Sequence, residues 1–220
     1  QIKMWKFTKS TLKKAMSKPI PKSNSELDLN FEYLKKTQED KFPKYFNALG
    51  KQFILRENVM DPTTFISIGE ISKELPFEKG MTFLEMGCGA GVASVYAALQ
   101  GCKKVVAIDI NEDAVKNTAE NAKLHGVADI VDARCGDLFA PVRADEKFDL
   151  IFWNSPWISE DPGKELSPLE KSVIDPDFKD TLRYVRFGRE FLTEKGRLLL
   201  GYGASVGDID LLNELLITNN

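Results

Sequence analysis

From Met81 onward, short apolar runs alternate with longer stretches of helical period. Phe83–Met86 reads as a first buried strand, and an alanine-rich helix follows over Val92–Gln100. Lys104–Ile110 is a second strand. Glu112–Leu124 has the spacing of an amphipathic helix, with Asn111 or Asp113 to cap its start and Gly126 just past its end. Ile130–Arg134 and Phe148–Trp153 are the third and fourth strands, and a polar, proline-bearing loop covers residues 154–170. Asp177–Thr193 reads as a helix, Arg197–Tyr202 as a fifth strand and Ile209–Leu216 as a further helix. Strands alternating with helices predict an α/β fold with a mostly parallel, twisted sheet covered by helices on both faces. A strand buried on both sides has no polar face, and VVAI, LIF and LLL are runs of that kind.

Upstream the pattern changes. Residues 26–50 hold Phe31, Tyr33, Leu34, Phe42, Tyr45, Phe46 and Leu49, too many apolar side chains for a solvated linker, so this stretch packs on something. An extended patch at Gln52–Leu55 leads through Asp61-Pro62-Thr63-Thr64 into a helical pattern over Phe65–Leu75, with Asp61 or Thr63 to cap it. Residues 1–25, rich in lysine and serine, read as a basic arm with at most one short helix. The expected organisation is therefore an arm (1–25), a pre-core segment forming a lid or substrate side (26–80) and a core (81–220).

Composition narrows the class. The chain has 220 residues, 43% hydrophobic and 29% charged, as expected of a globular cytoplasmic protein. No apolar run is long enough to cross a bilayer, and no signal-peptide stretch opens the sequence. Cys88, Cys102 and Cys135 lack CxxC spacing, and with His125 the sole histidine no metal site is expected. His125 reads as a surface residue on the outer part of its helix. The net charge is −3, yet residues 1–22 carry seven lysines and no acid, so the remainder carries −10. The acidic body argues against a broad phosphate-binding face. The basic arm is read as a solvated tail in preference to a nucleic-acid contact.

The chemistry sits in Glu85-Met86-Gly87-Cys88-Gly89-Ala90-Gly91, which follows a strand and opens a helix. Glycines let a ligand approach main-chain atoms, and the helix start supplies free N–H groups. The dinucleotide spacing GxGxxG is not met, because Val92 stands where the last glycine belongs. An acid two residues before Gly87 suits a cationic amino group better than a pyrophosphate. S-adenosylmethionine, with an ammonium, a sulfonium and no phosphate, is the expected cofactor. Asp109, with Ile110 beside it, ends the second strand where an acid grips ribose hydroxyls in such folds. Asp137 ends the third strand, where it can accept from an adenine amino group while Leu138 packs on the ring.

After the fourth strand comes Asn154-Ser155-Pro156-Trp157. Together with Glu85–Gly91, Asp109 and Asp137, this resembles the class I S-adenosylmethionine-dependent methyltransferases of Rossmann-like fold. Within them it is most similar to the small-domain N-methyltransferases, which include release-factor glutamine methyltransferases and RNA base N-methyltransferases. The resemblance covers roughly residues 50–216. That family carries Asn-Pro-Pro-aromatic here, so Ser155 departs from the pattern while Asn154, Pro156 and Trp157 match. The resemblance implies that an acceptor NH₂ donates to the Asn154 side-chain oxygen and to the Ser155 carbonyl, which aims its lone pair at the methyl group. Trp157 stacks on a flat acceptor. Serine, lacking the proline ring that fixes φ, loosens the loop.

The implied reaction moves a methyl group to a planar nitrogen with no metal. The acceptor is a protein glutamine or an exocyclic amine of RNA, with a small molecule as a third option. Phe53, Met60 and Pro62 are expected at the cofactor lid, and acceptor selection in residues 26–64 and in the loop Ile158–Val173. The family's sheet has seven strands, the last two an antiparallel pair; only five core strands are legible here, so missing residues are expected to supply the rest, an N-terminal strand over the open edge being the other solution. Two other readings share the fold: a nicotinamide-dependent oxidoreductase, and a catalytically silent binding partner.

Overall fold

The computed structural model describes residues 2–6, 26–63, 68–203 and 208–218. Its strands are β1 (Ile2–Lys6), β2 (Lys44–Ala48), β3 (Lys51–Leu55), β4 (Thr82–Met86), β5 (Lys104–Asp109), β6 (Val131–Cys135), β7 (Phe148–Asn154) and β8 (Leu192–Tyr202). Its helices are α1 (Glu26–Thr37), α2 (Ile68–Glu74), α3 (Val92–Leu99), α4 (Glu112–Leu124), α5 (Lys179–Gly188) and α6 (Ile209–Thr218). Six strands form one sheet in the order β1-β8-β7-β4-β5-β6, every neighbouring pair parallel.

The apolar runs divide by alternation between the two faces. Phe83, Val105, Ala107, Leu150 and Phe152 join α3, α4 and the β2–β3 hairpin in one core. Leu84, Val106, Ile108, Ile151 and Leu198 join α5, α6 and α1 in the other. The chain steps from β4 outward through β5 and β6, then returns to the other side of β4 with β7 and β8. That reversal opens a crevice at the carboxyl ends of β4 and β7, where ligands of such sheets bind.

Four expectations need correction. The flank of β8, assigned to residues missing from the chain, is taken by β1 from the segment read as an arm; residues 7–25 lie outside the described residues. Residues 26–50 hold a hairpin strand that was not foreseen. Its two-residue turn is Leu49-Gly50, with φ of 56° and 69°. Both values are positive, as this hairpin turn demands, but Leu-Gly is not one of the dipeptides that announce it. The helix read from Asp177 to Thr193 is shortened to α5, because Asp177 and Phe178 adopt left-handed φ of 54° and 53°. Strand β8 starts at Leu192, five residues early, through a polar stretch that carries no apolar run. The helix expected over Phe65–Leu75 is described from Ile68, residues 64–67 lying outside the described part.

Candidate active site

The crevice is a cleft of about 800 Å³. Its floor is the turn after β4, its sides are the ends of β5, β6 and β7, and α1, Met60–Pro62 and residues 168–172 close it.

Glu85 is 3% exposed, and its Oε2 accepts a 2.5 Å hydrogen bond from Ser94 Oγ on α3. Burial, with the nearby Asp109 charge, raises its carboxyl to about 8 against the pull of Ser94. Gly87 follows at φ 63°; a Cβ there would stand 2.8 Å from the Trp153 indole nitrogen, so only glycine fits. Gly89 N–H donates to Asp109 Oδ2 at 2.9 Å, and Asn111 N–H donates to Asp109 Oδ1 at 2.9 Å. Burial raises the Asp109 carboxyl, opposed by backbone N–H groups of Gly89, Asn111 and Ile110. The cap of α4 is Asn111, whose side chain accepts from Asp113 N–H. Asp109 is therefore not spent on capping. Ile110, 40% exposed, lines the cleft beside it.

At the end of β6, Asp137 lines the cleft, with Leu138 next to it at φ 45°. Both Asp137 oxygens accept from Arg183 of α5, at 2.7 and 3.2 Å. At the end of β7, Asn154 lines the cleft and its side-chain amide makes no hydrogen bond among the described residues. Gly201 of β8 leaves it room: a Cβ there would lie 3.1 Å from Asn154 Oδ1. Ser155 does not loosen the loop. Its N–H and its Oγ both donate to the Gly201 carbonyl, at 2.9 and 3.0 Å, and it is 2% exposed. Proline at this position has no N–H for that bond. Pro156 and Trp157 line the cleft, and Tyr202 Oη holds the Trp157 carbonyl at 3.1 Å.

Of the residues singled out from sequence, Ser155 and Gly91 do not line the cleft. Gly91 precedes α3 at φ 77° and packs against Thr118. Cys88 lines it as a buried thiol that accepts from Thr118 Oγ1 at 3.2 Å. Met60 and Pro62 line it, whereas Phe53 is fully buried, its ring 5.6 Å from Phe46 and 4.5 Å from His125. His125 is not a surface residue: it caps the end of α4 half-buried, and its Nε2 has no hydrogen-bond partner among the described residues. Burial, aided by the Lys51 charge, lowers its pKa.

Sequence reasoning missed Asn117, Thr118 and Asn121, all fully buried on α4. Thr118 Oγ1 donates to the Gly89 carbonyl, and Asn121 Nδ2 to the Ala90 carbonyl, at 3.0 and 2.8 Å. Asn117 and Asn121 also grip the backbone of Ile54 and Arg56. Their signal was legible: polar residues on the buried stripe of an amphipathic helix demand partners.

The methyltransferase domain family matches residues 77–213. The chain belongs to this family. Release factor glutamine methyltransferase of Aquifex aeolicus (strain VF5) is 36% identical to it over 118 residues, which are 52% of this chain and 42% of that enzyme. A Methanocaldococcus jannaschii protein, provisionally named a protein N5-glutamine methyltransferase, is 31% identical over 146 residues, 65% of this chain and 72% of its own length. This chain therefore spans less than half of the Aquifex enzyme. In fold it is similar to the solved structure of SMU.776, provisionally described as a methyltransferase and complexed with SAH. The TM-score is 0.60 at 17% identity, over 82% of this chain and 47% of that one.

The family's cofactor is S-adenosylmethionine, and the site suits it. The carboxyl ends of β4 and β5 and the turn after β6 present Glu85, Asp109 and Asp137, while the lysines of the cleft, Lys36, Lys44 and Lys171, come from other segments. Such a wall suits a cation and hydroxyl groups, and opposes a pyrophosphate. Among the described residues no His, Cys, Asp and Glu side chains group to hold a metal, and no helix is long and apolar enough to cross a membrane.

Proposed function

We propose that the chain methylates a planar amide nitrogen, the side chain of a glutamine in a protein acceptor. The observation that carries this is Asn154: an amide lining the cleft whose hydrogen-bonding capacity no neighbour among the described residues uses. An acceptor NH₂ donates one N–H to Asn154 Oδ1 and the other to the Ser155 carbonyl. Two acceptors on one nitrogen fix its plane and leave its lone pair a single direction. Ser155, tied twice to Gly201, holds its own carbonyl still. When bound, the cofactor supplies a methyl group on a sulfonium, transferred while the electron pair of the broken bond stays on sulfur. The nitrogen gains the C–N bond and gives one proton to solvent. Glu85, Asp109 and Asp137 take the ammonium, ribose and adenine ends, and Trp157 offers its face to the acceptor plane.

A protein acceptor is favoured over RNA by charge. Apart from those three, the cleft is lined by Glu32, Asp40, Asp61, Asp175 and Asp180 against three lysines, and Lys44 is already paired with Asp40 and Asp61. Such a surface repels phosphates. The RNA reading draws on the seven lysines of residues 1–22.

Incubating the chain with labelled cofactor and fractionated lysate tests the class of acceptor. Label in protein, absent with Asn154→Ala while that variant binds S-adenosylhomocysteine normally, is the expected result. Label confined to RNA, or an Asn154→Ala protein as active as the parent, defeats it.

A further inference from the structure

The turn that carries Asp137 has a fixed backbone. Gly136 N–H donates to the Asp109 carbonyl at 2.9 Å, and Ala140 N–H to the Asp137 carbonyl at 3.0 Å. Pro141 packs so closely that a Cβ on Gly136 would meet it at 2.5 Å. What the turn leaves open is the direction of the Asp137 carboxylate, whose side chain is 47% exposed. Helix α5 decides it. Arg183 Nη2 donates to Oδ2 at 2.7 Å and Nη1 to Oδ1 at 3.2 Å, a two-pronged grip that fixes a plane as well as a distance. The guanidinium is itself held from the other side, Nη1 donating to Asp180 Oδ1 at 2.7 Å. The start of α5 is anchored in turn by buried Asp175, which accepts from Asp180 N–H, Thr181 N–H and Thr181 Oγ1 at 2.9, 2.8 and 2.7 Å.

We propose that Arg183 is a positioning residue for cofactor specificity: it holds the Asp137 carboxylate in the one orientation that accepts from a purine amino group, so that the site distinguishes an aminopurine from an oxopurine nucleoside. This rests on the reading of Asp137 as the base-recognising acid. A carboxylate has about four acceptor positions, so the arginine fork leaves room for a further donor. An amino group fills that place. A carbonyl oxygen brought to the same place sets lone pair against lone pair and leaves the acid unpartnered, a mismatch that polar sites reject strongly. Without the fork an exposed aspartate is spread over several rotamers, and ordering it must be met from the binding energy of the base.

The test needs no acceptor substrate. The chain is titrated calorimetrically with S-adenosylhomocysteine and with S-inosylhomocysteine, and the ratio of the two affinities is the readout. Misfolded protein lowers the stoichiometry of both titrations and leaves the ratio alone, and the Tm of each ligand-free variant reports folding separately. The parent is expected to favour the adenosine compound, and Arg183→Ala to narrow that ratio about tenfold, chiefly through the adenosine compound. Arg183→Lys, a point charge without a fork, restores only part of it. An unchanged or widened ratio in Arg183→Ala overturns the proposal. Asp137→Asn separates the two layers. If it narrows the ratio while Arg183→Ala does not, Asp137 reads the base and Arg183 has no part in it. If it leaves the ratio intact, Asp137 does not read the base and both readings fall.

Discussion

At the scale of single residues, Glu85 holds its proton at neutral pH because burial penalises its charge and no cation among the described residues pairs with it. A cationic ammonium reverses that preference. Calorimetric titration of S-adenosylhomocysteine near pH 7, in buffers of different ionisation enthalpy, is expected to show release of about one proton, fading once the pH passes about 8; Glu85→Gln abolishes it. The same group sets a stability trend. Its folded pKa of about 8 lies above the ordinary 4.5, so its stabilising contribution is complete below 4.5 and lost as the pH rises through about 8. The ligand-free Glu85→Gln variant should therefore gain Tm over the parent at about pH 9 and not at about pH 5. Asp109 acts differently, tying the Gly89 amide to the end of β5 before any ligand arrives. Asp109→Ala should weaken S-adenosylhomocysteine by on the order of 1–3 kcal/mol, since hydroxyls and an amide lose their acceptor. Equal affinities by calorimetry would remove the ribose role.

Among elements, the loop that joins β6 to β7 depends on Glu146, which is 6% exposed. Its carboxylate accepts from Arg134 at 2.6 and 2.8 Å, from Lys104 at 2.6 Å and from Arg143 N–H at 2.8 Å. The arginine, with help from Lys104 and the Arg143 amide, holds it well below the usual carboxylate range against the opposing effect of burial. Stability from this group is present above about pH 4.5 and lost as the pH falls below it. Glu146→Gln should cost about 1.5–3 kcal/mol in urea denaturation at neutral pH, with the deficit shrinking in acid. The elements themselves were legible wherever an apolar run ended at a glycine or a cap. Helix α4 was read to the residue because Asn111 and Gly126 bracket it. Strand β2 was invisible: only Phe46 of its five residues is buried, and its turn depends on Leu49 adopting a positive φ. The site divides in the same way. Glu85, Gly87, Asp109 and Asn154 stood out because each lies where a strand gives way to a turn. Ser94, Trp153 and Arg183 matter through partners distant in sequence, and no spacing announces those.

For the molecule as a whole, the sheet's flank is a matter of association. Leu198, Leu199 and Leu200 of β8 pair with Ile2, Lys3 and Met4 on one side and with β7 on the other. Deleting residues 1–6 uncovers a long apolar edge, and light scattering is expected to show more self-association than in the parent. A deleted chain that associates no more than the parent would mean that the edge is protected by other means. On one face of the sheet, α4 ties the wall of the cleft together. Its asparagines hold the glycine turn with one hand and β3 with the other, Asn111 Nδ2 reaches the Asn58 carbonyl at 2.6 Å, and Arg56 is paired with Glu120 at 2.6 Å. One side of the cleft is thereby riveted to the helix that follows Asp109. That wall does not serve as a door. Across the cleft from it, Lys164 of the loop 159–172 lies 4.2 Å from the Phe31 ring of α1. Any rearrangement that admits a ligand has to leave that wall in place, and belongs to the segments facing it across the cleft, residues 168–172 among them.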